Sequence, residues 1–350
     1  MKAACVFCGQ PPDKKNKEHI FPQWLLKMTD FHGKNASVGT SWETGKELVF
    51  NANSYTFPAC TKCNERFGKI EASVKPIVES LLSDQDVTCE ELELLLDWFD
   101  KVRICAWLGV KYMNQSTFIM TPKYYVNSRV GLKDRALWVT NTYRPEKTLN
   151  WSGVNSPAFM FSPTAFTLRV NNLVLVNCSS DLVLSKKLGF PYVQFERPNP
   201  NSHKTDMMLA PARNNHRPTL FSTKLYLPSV CIAQPIYKET RKLRPAYYES
   251  EYIKKHSYDH DVGIGKIFVI RGGTIASLEK GESVNFAMPE ARSIYGPVEV
   301  VRPILELQIE MINERKKDLS LLSEEQRRTE IDGTQGIINY LREQIRQYPY

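Results

Sequence analysis

The sequence predicts an α+β protein built in several parts, and three observations carry that prediction. Two Cys-x2-Cys pairs, Cys5/Cys8 and Cys60/Cys63, bracket the N-terminal stretch at the spacing of zinc knuckles. Behind them, apolar residues recur at steps of three and four over two long stretches, as on amphipathic helices. From Thr117 the pattern changes to short apolar runs separated by Pro, Gly, Asn and Ser, that of a β-rich region. With 350 residues the chain exceeds one typical domain. The shifts of pattern divide it into residues 1–82, a helical connector at 83–117, and an α+β region at 118–350 with a sub-boundary near 256.

Pro22 opens a short helix carrying Trp24, Leu25 and Met28, because a missing N–H costs nothing at a first helical position. Residues 30–56, rich in Gly, Ser, Thr and Asn, read as a loop or loose hairpin with short strands near 37–42 and 47–50. Phe67, Ile70, Val74, Ile77 and Leu81 mark a helix leaving the second Cys pair, which Pro76 is expected to kink or divide near Lys75. A second helix starts near Glu90, where the acidic run from Asp84 to Glu93 suits the positive end of a helix dipole. Candidate strands follow near 118–120, 136–140, 159–161, 166–170, 173–176 and 192–195, with Asn171-Asn172 as a hairpin turn. Residues 197–217 read as a surface loop, either a linker or a substrate contact. Arg271-Gly272-Gly273 marks a second hairpin. Helices are expected at 303–319 and 323–346, the latter from the start signature Ser323-Glu324-Glu325-Gln326.

No run of 18 apolar residues and no signal-peptide core occurs, so the expectation is a cytoplasmic protein that does not engage a membrane. In a reducing compartment paired cysteines read as metal ligands rather than disulfides. Cys89, Cys105, Cys178 and Cys231 stand singly, mostly among apolar residues, and read as core. The formal charge is +8, and residues 118–256 carry 20 Lys/Arg against 8 Asp/Glu. That middle third would attract a polyanion. Within it Arg129, Lys133 and Arg135, with Tyr124 and Tyr125 nearby, are candidates to contact phosphates and bases, a charged sheet edge being the alternative. His256 and His260 have the i, i+4 spacing of a metal pair but lack the Glu of a zincin.

The chemistry concentrates between the cysteine pairs. Four thiolates would close every position around a structural zinc. Glu18 and Asn64 offer hard oxygens of the kind magnesium or manganese takes. His19 is the side chain suited to take a proton near neutral pH. Glu18 and His19 are neighbours and point to opposite sides of an extended strand, while Asn64 directly follows the last cysteine and is placed by it. Arg66 and Lys69, on the helix that Asn64 begins, can contact phosphates or simply be solvated.

Cys-x2-Cys, Glu18-His19-Ile20-Phe21-Pro22 and Cys60-Thr61-Lys62-Cys63-Asn64, in that order, resemble the HNH endonuclease family. The likeness is to the zinc-stabilised branch with a ββα-metal fold, and it covers residues 1–82. The resemblance implies a metal-dependent endonuclease that hydrolyses phosphodiester bonds of DNA, in a bacterial defence or restriction setting. It implies His19 as the base that activates water and Glu18, where the branch usually has Asp, as a ligand of the catalytic Mg2+ or Mn2+. Asn64 would be a second ligand, and Cys5, Cys8, Cys60 and Cys63 would hold structural Zn2+. The family's middle Asn, which braces the loop beside the catalytic His, is either Asn51 or Asn53. The Glu18 substitution leaves an alternative, a zinc-knuckle protein that binds nucleic acid without cutting it. Residues 118–350 would select substrate, dock a regulatory protein or mediate a homodimer.

Overall fold

The computed structural model describes residues 4–13, 16–41, 44–113, 126–128, 130, 134–142, 146–180, 183–188, 192–199, 204–210, 229–235, 265–272, 274–287, 298–316 and 323–347. Within them the chain is mixed α+β, with a large antiparallel sheet, helices at its C-terminal end and a cysteine cluster near its N-terminus.

The N-terminal part is held together by short pairings. Strand β1 (Lys17–His19) runs antiparallel to β4 (Thr56–Pro58), with Glu18 opposite Phe57 and His19 opposite Thr56. Between them lie helix α1 (Gln23–Met28) and the hairpin of β2 (Asn35–Thr40) and β3 (Glu47–Asn51). Helix α2 (Thr61–Leu82) follows β4 directly. It continues through Pro76 as one helix, so of the expected kink or division the division does not occur. Pro76 and Ala72 both lie on the exposed side, so the carbonyl that loses its partner at Ala72 is open to water.

A two-residue strand β5 (Val87–Thr88) leads into helix α3 (Cys89–Met113). Glu90 and Glu91 occupy its first turn, as expected from the helix dipole, and Glu91 accepts from the Thr88 N–H at 2.8 Å. Nearly every residue from Trp98 to Val110 is buried, so α3 is shielded on all sides rather than along one stripe. It lies against β4's approach so closely that a Cβ on Gly109 would sit 1.9 Å from the Tyr55 hydroxyl.

The large sheet has seven strands among the described residues. Its members are β6 (Asp134–Asn141), β7 (Leu149–Ser152), β8 (Ala165–Val170), β9 (Leu173–Ser180), β12 (Val230–Gln234), β13 (Ile267–Arg271) and β14 (Thr274–Leu278). Their spatial order is β14-β13-β12-β6-β9-β8-β7, all antiparallel. Asn171, at φ 54, makes the tight turn between β8 and β9 that the sequence indicated. Successive residues alternate between two cores. Leu137, Val139, Leu173 and Leu175 join a core shared with α2 and α3, whereas Ala136, Trp138, Val174 and Val176 face the other side. That second side is covered by α5 (Val183–Leu188), α6 (Val298–Lys316) and α7 (Glu324–Arg346). Both faces being buried explains why the central strands read as continuous apolar runs. Ser323 and Gln326 form the capping box at the start of α7.

Two expectations need correction. The apolar run near 159–161 is helix α4 (Pro157–Phe161), because the Ser156 hydroxyl accepts from the Phe159 N–H and Pro157 sits at the first helical position. Part of the expected loop at 197–217 is extended: β10 (Tyr192–Asn199) pairs with β11 (Lys204–Ala210). The pairing is local, so polar composition did not prevent it. The chain closes on itself where β15 (Ser283–Val284) pairs with β5. No helix among the described residues is long and apolar enough to cross a membrane. The expected run at 118–120 lies outside the described residues.

Charges buried on α3 bind it to the sheet. Arg103 donates to Asp100 at 2.6 Å and to Asn177 of β9 at 2.5 Å. Arg135 of β6 donates to Asp97 at 2.5 Å, to Asp100 at 3.1 Å and to Gln234 of β12 at 3.0 Å. Asp100→Ala removes the carboxylate that both arginines share and leaves two buried cations short of a partner. The expected loss is about 3–5 kcal/mol of unfolding free energy, read by chemical denaturation.

Candidate functional site

The four paired cysteines converge. The sulfurs of Cys5, Cys8, Cys60 and Cys63 all lie within 4.8 Å of one another, and Cys8 and Cys60 are 3.9 Å apart. A tetrahedron with metal–sulfur bonds of about 2.3 Å has edges of about 3.8 Å, so the spacing fits a zinc ion. All eight cysteines are free thiols, and the other four are buried in the cores as expected.

Local structure explains the convergence. The Gly9 N–H donates to the Cys5 carbonyl, closing the first knuckle, and Cys60 is the residue that caps α2. The Val6 N–H reaches the Pro58 carbonyl at 2.9 Å and stitches the first knuckle to β4. Asn127 donates to the Cys63 sulfur at 3.7 Å. Burial would raise the Cys5 thiol, yet backbone N–H groups of Cys60, Cys8 and Phe7 pull it below the ordinary value. Burial pushes Cys63 up to about 12. A bound cation would override that and hold all four as thiolates.

Beside the cluster, β1 and α2 enclose a cavity of about 300 Å³ lined by Lys17, Glu18, His19, Asn64, Gly68 and Glu71. Asn64, Gly68 and Glu71 fall at steps of four and three, hence on one face of α2. Glu18, His19 and Asn64, picked out in the sequence for separate reasons, therefore meet at one site. The Asn64 amide donates to Asn16 at 3.0 Å, which uses its nitrogen; its oxygen end is the one a cation would take. Burial lowers the His19 imidazole from its ordinary value, while a hydrogen bond to the Asn53 backbone carbonyl acts in the opposite direction. The neutral ring that can accept a proton is thereby favoured.

Both candidate middle asparagines brace that carbonyl. The Asn51 side chain donates to the Gly33 carbonyl at 2.9 Å and accepts from the Asn53 N–H at 3.1 Å. The Asn53 side chain accepts from the Gly33 N–H at 3.1 Å.

Sequence reasoning missed the partner of Glu18. The carboxylate is 5% exposed and lies 2.6 Å from the ammonium of Lys101, which reaches in from α3. Lys101 also donates to Glu71 at 2.6 Å and to the His19 carbonyl at 3.0 Å. Burial pushes the Glu18 carboxyl up, and Lys101 offsets this only in part because Glu71 adds a second negative charge. Burial alone would pull Lys101 down, yet the Glu71 and Glu18 carboxylates together carry it above the ordinary lysine value. No spacing in the sequence announces these partners; it shows only that Lys101, with Asp100 and Arg103 beside it, must be matched if that helix is buried.

The nucleic-acid candidates divide. Arg66 and Lys69 are exposed on α2, and the Arg66 guanidinium also lies 5.4 Å from the Phe67 ring centroid. Arg135 is 2% exposed and committed to Asp97, Asp100 and Gln234, so it is a buried structural cation and not a phosphate contact. Nor does the alternative of a charged sheet edge hold, because β6 is a central strand between β12 and β9. Arg129, Lys133, Tyr124, Tyr125, His256 and His260 lie outside the described residues.

No protein-family model, curated protein or solved structure matches the chain.

Metal analysis of the purified protein is expected to give one zinc per chain. Cys60→Ser should abolish stoichiometric zinc and lower the melting temperature, whereas Cys178→Ser, far from the cluster, should keep the zinc.

Proposed function

We propose that the chain is a metal-dependent endonuclease of the HNH type, cutting phosphodiester bonds of DNA. The observation that carries this reading is the meeting of Glu18, His19 and Asn64 around one cavity, on two paired strands followed by a helix, next to four clustered cysteines. Structural zinc would tie residues 5–8 to the start of α2 and so fix Asn64 relative to β1.

His19, oriented by the Asn53 carbonyl, takes the proton of the attacking water. Glu18 and Asn64 would supply oxygens for a hard divalent cation, which commonly keeps several waters and needs only one or two protein ligands. When bound, such a cation would contribute charge neutralisation at the scissile phosphate and leaving oxygen. Exposed Lys17 lines the cavity and would hold the substrate backbone through charge, without reading its sequence, with Lys69 further round α2; Arg66, two residues after Asn64, lies on the other side of that helix. A defence or restriction setting rests on the family resemblance alone.

A second reading is favoured by one observation, the ion pair between Glu18 and Lys101. A carboxylate already matched by an ammonium suits a protein that binds nucleic acid without cutting it. The two readings part on a single assay. With magnesium or manganese, the wild type should nick or linearise plasmid DNA, and His19→Ala should cut about 10²–10⁴-fold more slowly. Equal rates in the two proteins would sink the nuclease reading; tight binding with no hydrolysis would favour the second.

A further inference from the structure

Lys101 is adjacent to Asp100 and about 200° around the helix from Arg103, so it faces away from the sheet and into the N-terminal part. Its residue is fully buried. An ammonium has three protons, and here three acceptors meet them: Glu18 Oε1, Glu71 Oε1 and the His19 carbonyl oxygen. Those acceptors come from β1 and α2, the two walls of the cavity. Lys101 thus grips both sides of the site from behind and holds the backbone of His19 as well as the side chain of Glu18.

Two carboxylates and one ammonium give the buried cluster behind the site a net charge of −1, Lys17 lining the same cavity on its exposed side. A divalent cation would bring the site to +1, opposite in sign to a phosphodiester. Without the ammonium the empty site would be −2, the loaded site neutral, and the cation held more tightly against a weaker pull on the phosphate.

We infer that Lys101 is a positioning residue of the proposed nuclease site, fixing the Glu18–His19 segment and tuning the charge that a bound cation presents to phosphate. This rests on the nuclease reading and adds to it a residue outside the motif region. It differs from a merely structural salt bridge in the sign of its effects. Loss of a structural bridge lowers the amount of folded protein and leaves the cation affinity and turnover of each folded molecule unchanged. Loss of a positioning charge moves cation affinity and turnover in opposite directions.

The experiment uses the full-length, zinc-loaded chain and two readouts, Mn2+ affinity by electron paramagnetic resonance and single-turnover cleavage of plasmid DNA. Lys101→Met, matched to wild type for zinc content, is expected to bind Mn2+ about tenfold more tightly. It should cut about 10²-fold more slowly. Glu71→Gln, which leaves the Lys101–Glu18 pair and brings the site to neutrality, should bind Mn2+ about tenfold more weakly. The double variant restores the net charge of −1 and should return Mn2+ affinity toward that of wild type. Unchanged affinity and turnover in folded Lys101→Met overturns the inference while leaving the nuclease reading intact. If Lys101→Met does not fold, Glu71→Gln decides, and an unaltered Mn2+ affinity there overturns it equally. A wild type that neither binds Mn2+ nor cuts removes the nuclease reading itself, and the inference with it.

Discussion

Three ionised side chains stand within four residues of helix α3, and all three are buried: Asp100, Lys101 and Arg103. Unmatched, each would cost several kcal/mol. The fold around α3 is in large part the set of answers to that constraint. Arg103 and Asp100 are met by Asn177 and Arg135 from the sheet, and Lys101 by Glu18, Glu71 and the His19 carbonyl from the N-terminal part. One helix therefore presents charges in two directions, and its apolar residues share a single core with α1, α2 and the inner face of the sheet. The residues that make the candidate site and those that make the sheet are coupled through adjacent positions on the same rod.

That coupling also explains which parts of the molecule the sequence made legible. The cysteine cluster was readable because its meaning lies in local spacing, and Glu18, His19 and Asn64, singled out from short motifs, line one cavity. The turn at Asn171 and the capping box at Ser323 were readable for the same reason: a left-handed residue and a reciprocal cap are local chemistry. Lys101 and Glu71 were not, since their pairing joins positions 30 residues apart on different helices and no spacing rule announces it. Arg135 departs from expectation because a charged residue in a strand defaults to the surface, and only the buried Asp100 and the partly buried Asp97 reverse that default. The run at 159–161 looked like its strand neighbours because three apolar residues have no period; the cap at Ser156 decided it.

The cysteine cluster marks where α2 begins, and Asn64, one residue after Cys63, lines the cavity. Between them no flexible segment intervenes, since Cys63 and Asn64 are consecutive and both lie on the first turns of α2. The opposite wall is held as firmly, by β4 in register with β1 and by the asparagine pair that steadies the Asn53 carbonyl. Lys101 then joins the walls. Short strands that would be marginal by themselves become a defined site because three separate tethers converge on them.

The pairing of β5 with β15 gives this arrangement a temporal dimension. Residues 87–88, which launch α3, are hydrogen-bonded to residues 283–284, and the Cys89 N–H donates to the Glu282 carbonyl at 2.9 Å. A chain growing from its N-terminus carries the cysteines, Glu18 and His19 long before it carries the strands that shelter α3. The helix that delivers Lys101 gains its full surroundings only when nearly two hundred further residues have been made. The order of synthesis thus separates the appearance of Glu18, His19 and Asn64 from the completion of the wall behind them, and a nascent chain holds the parts of the candidate site well before it holds that site.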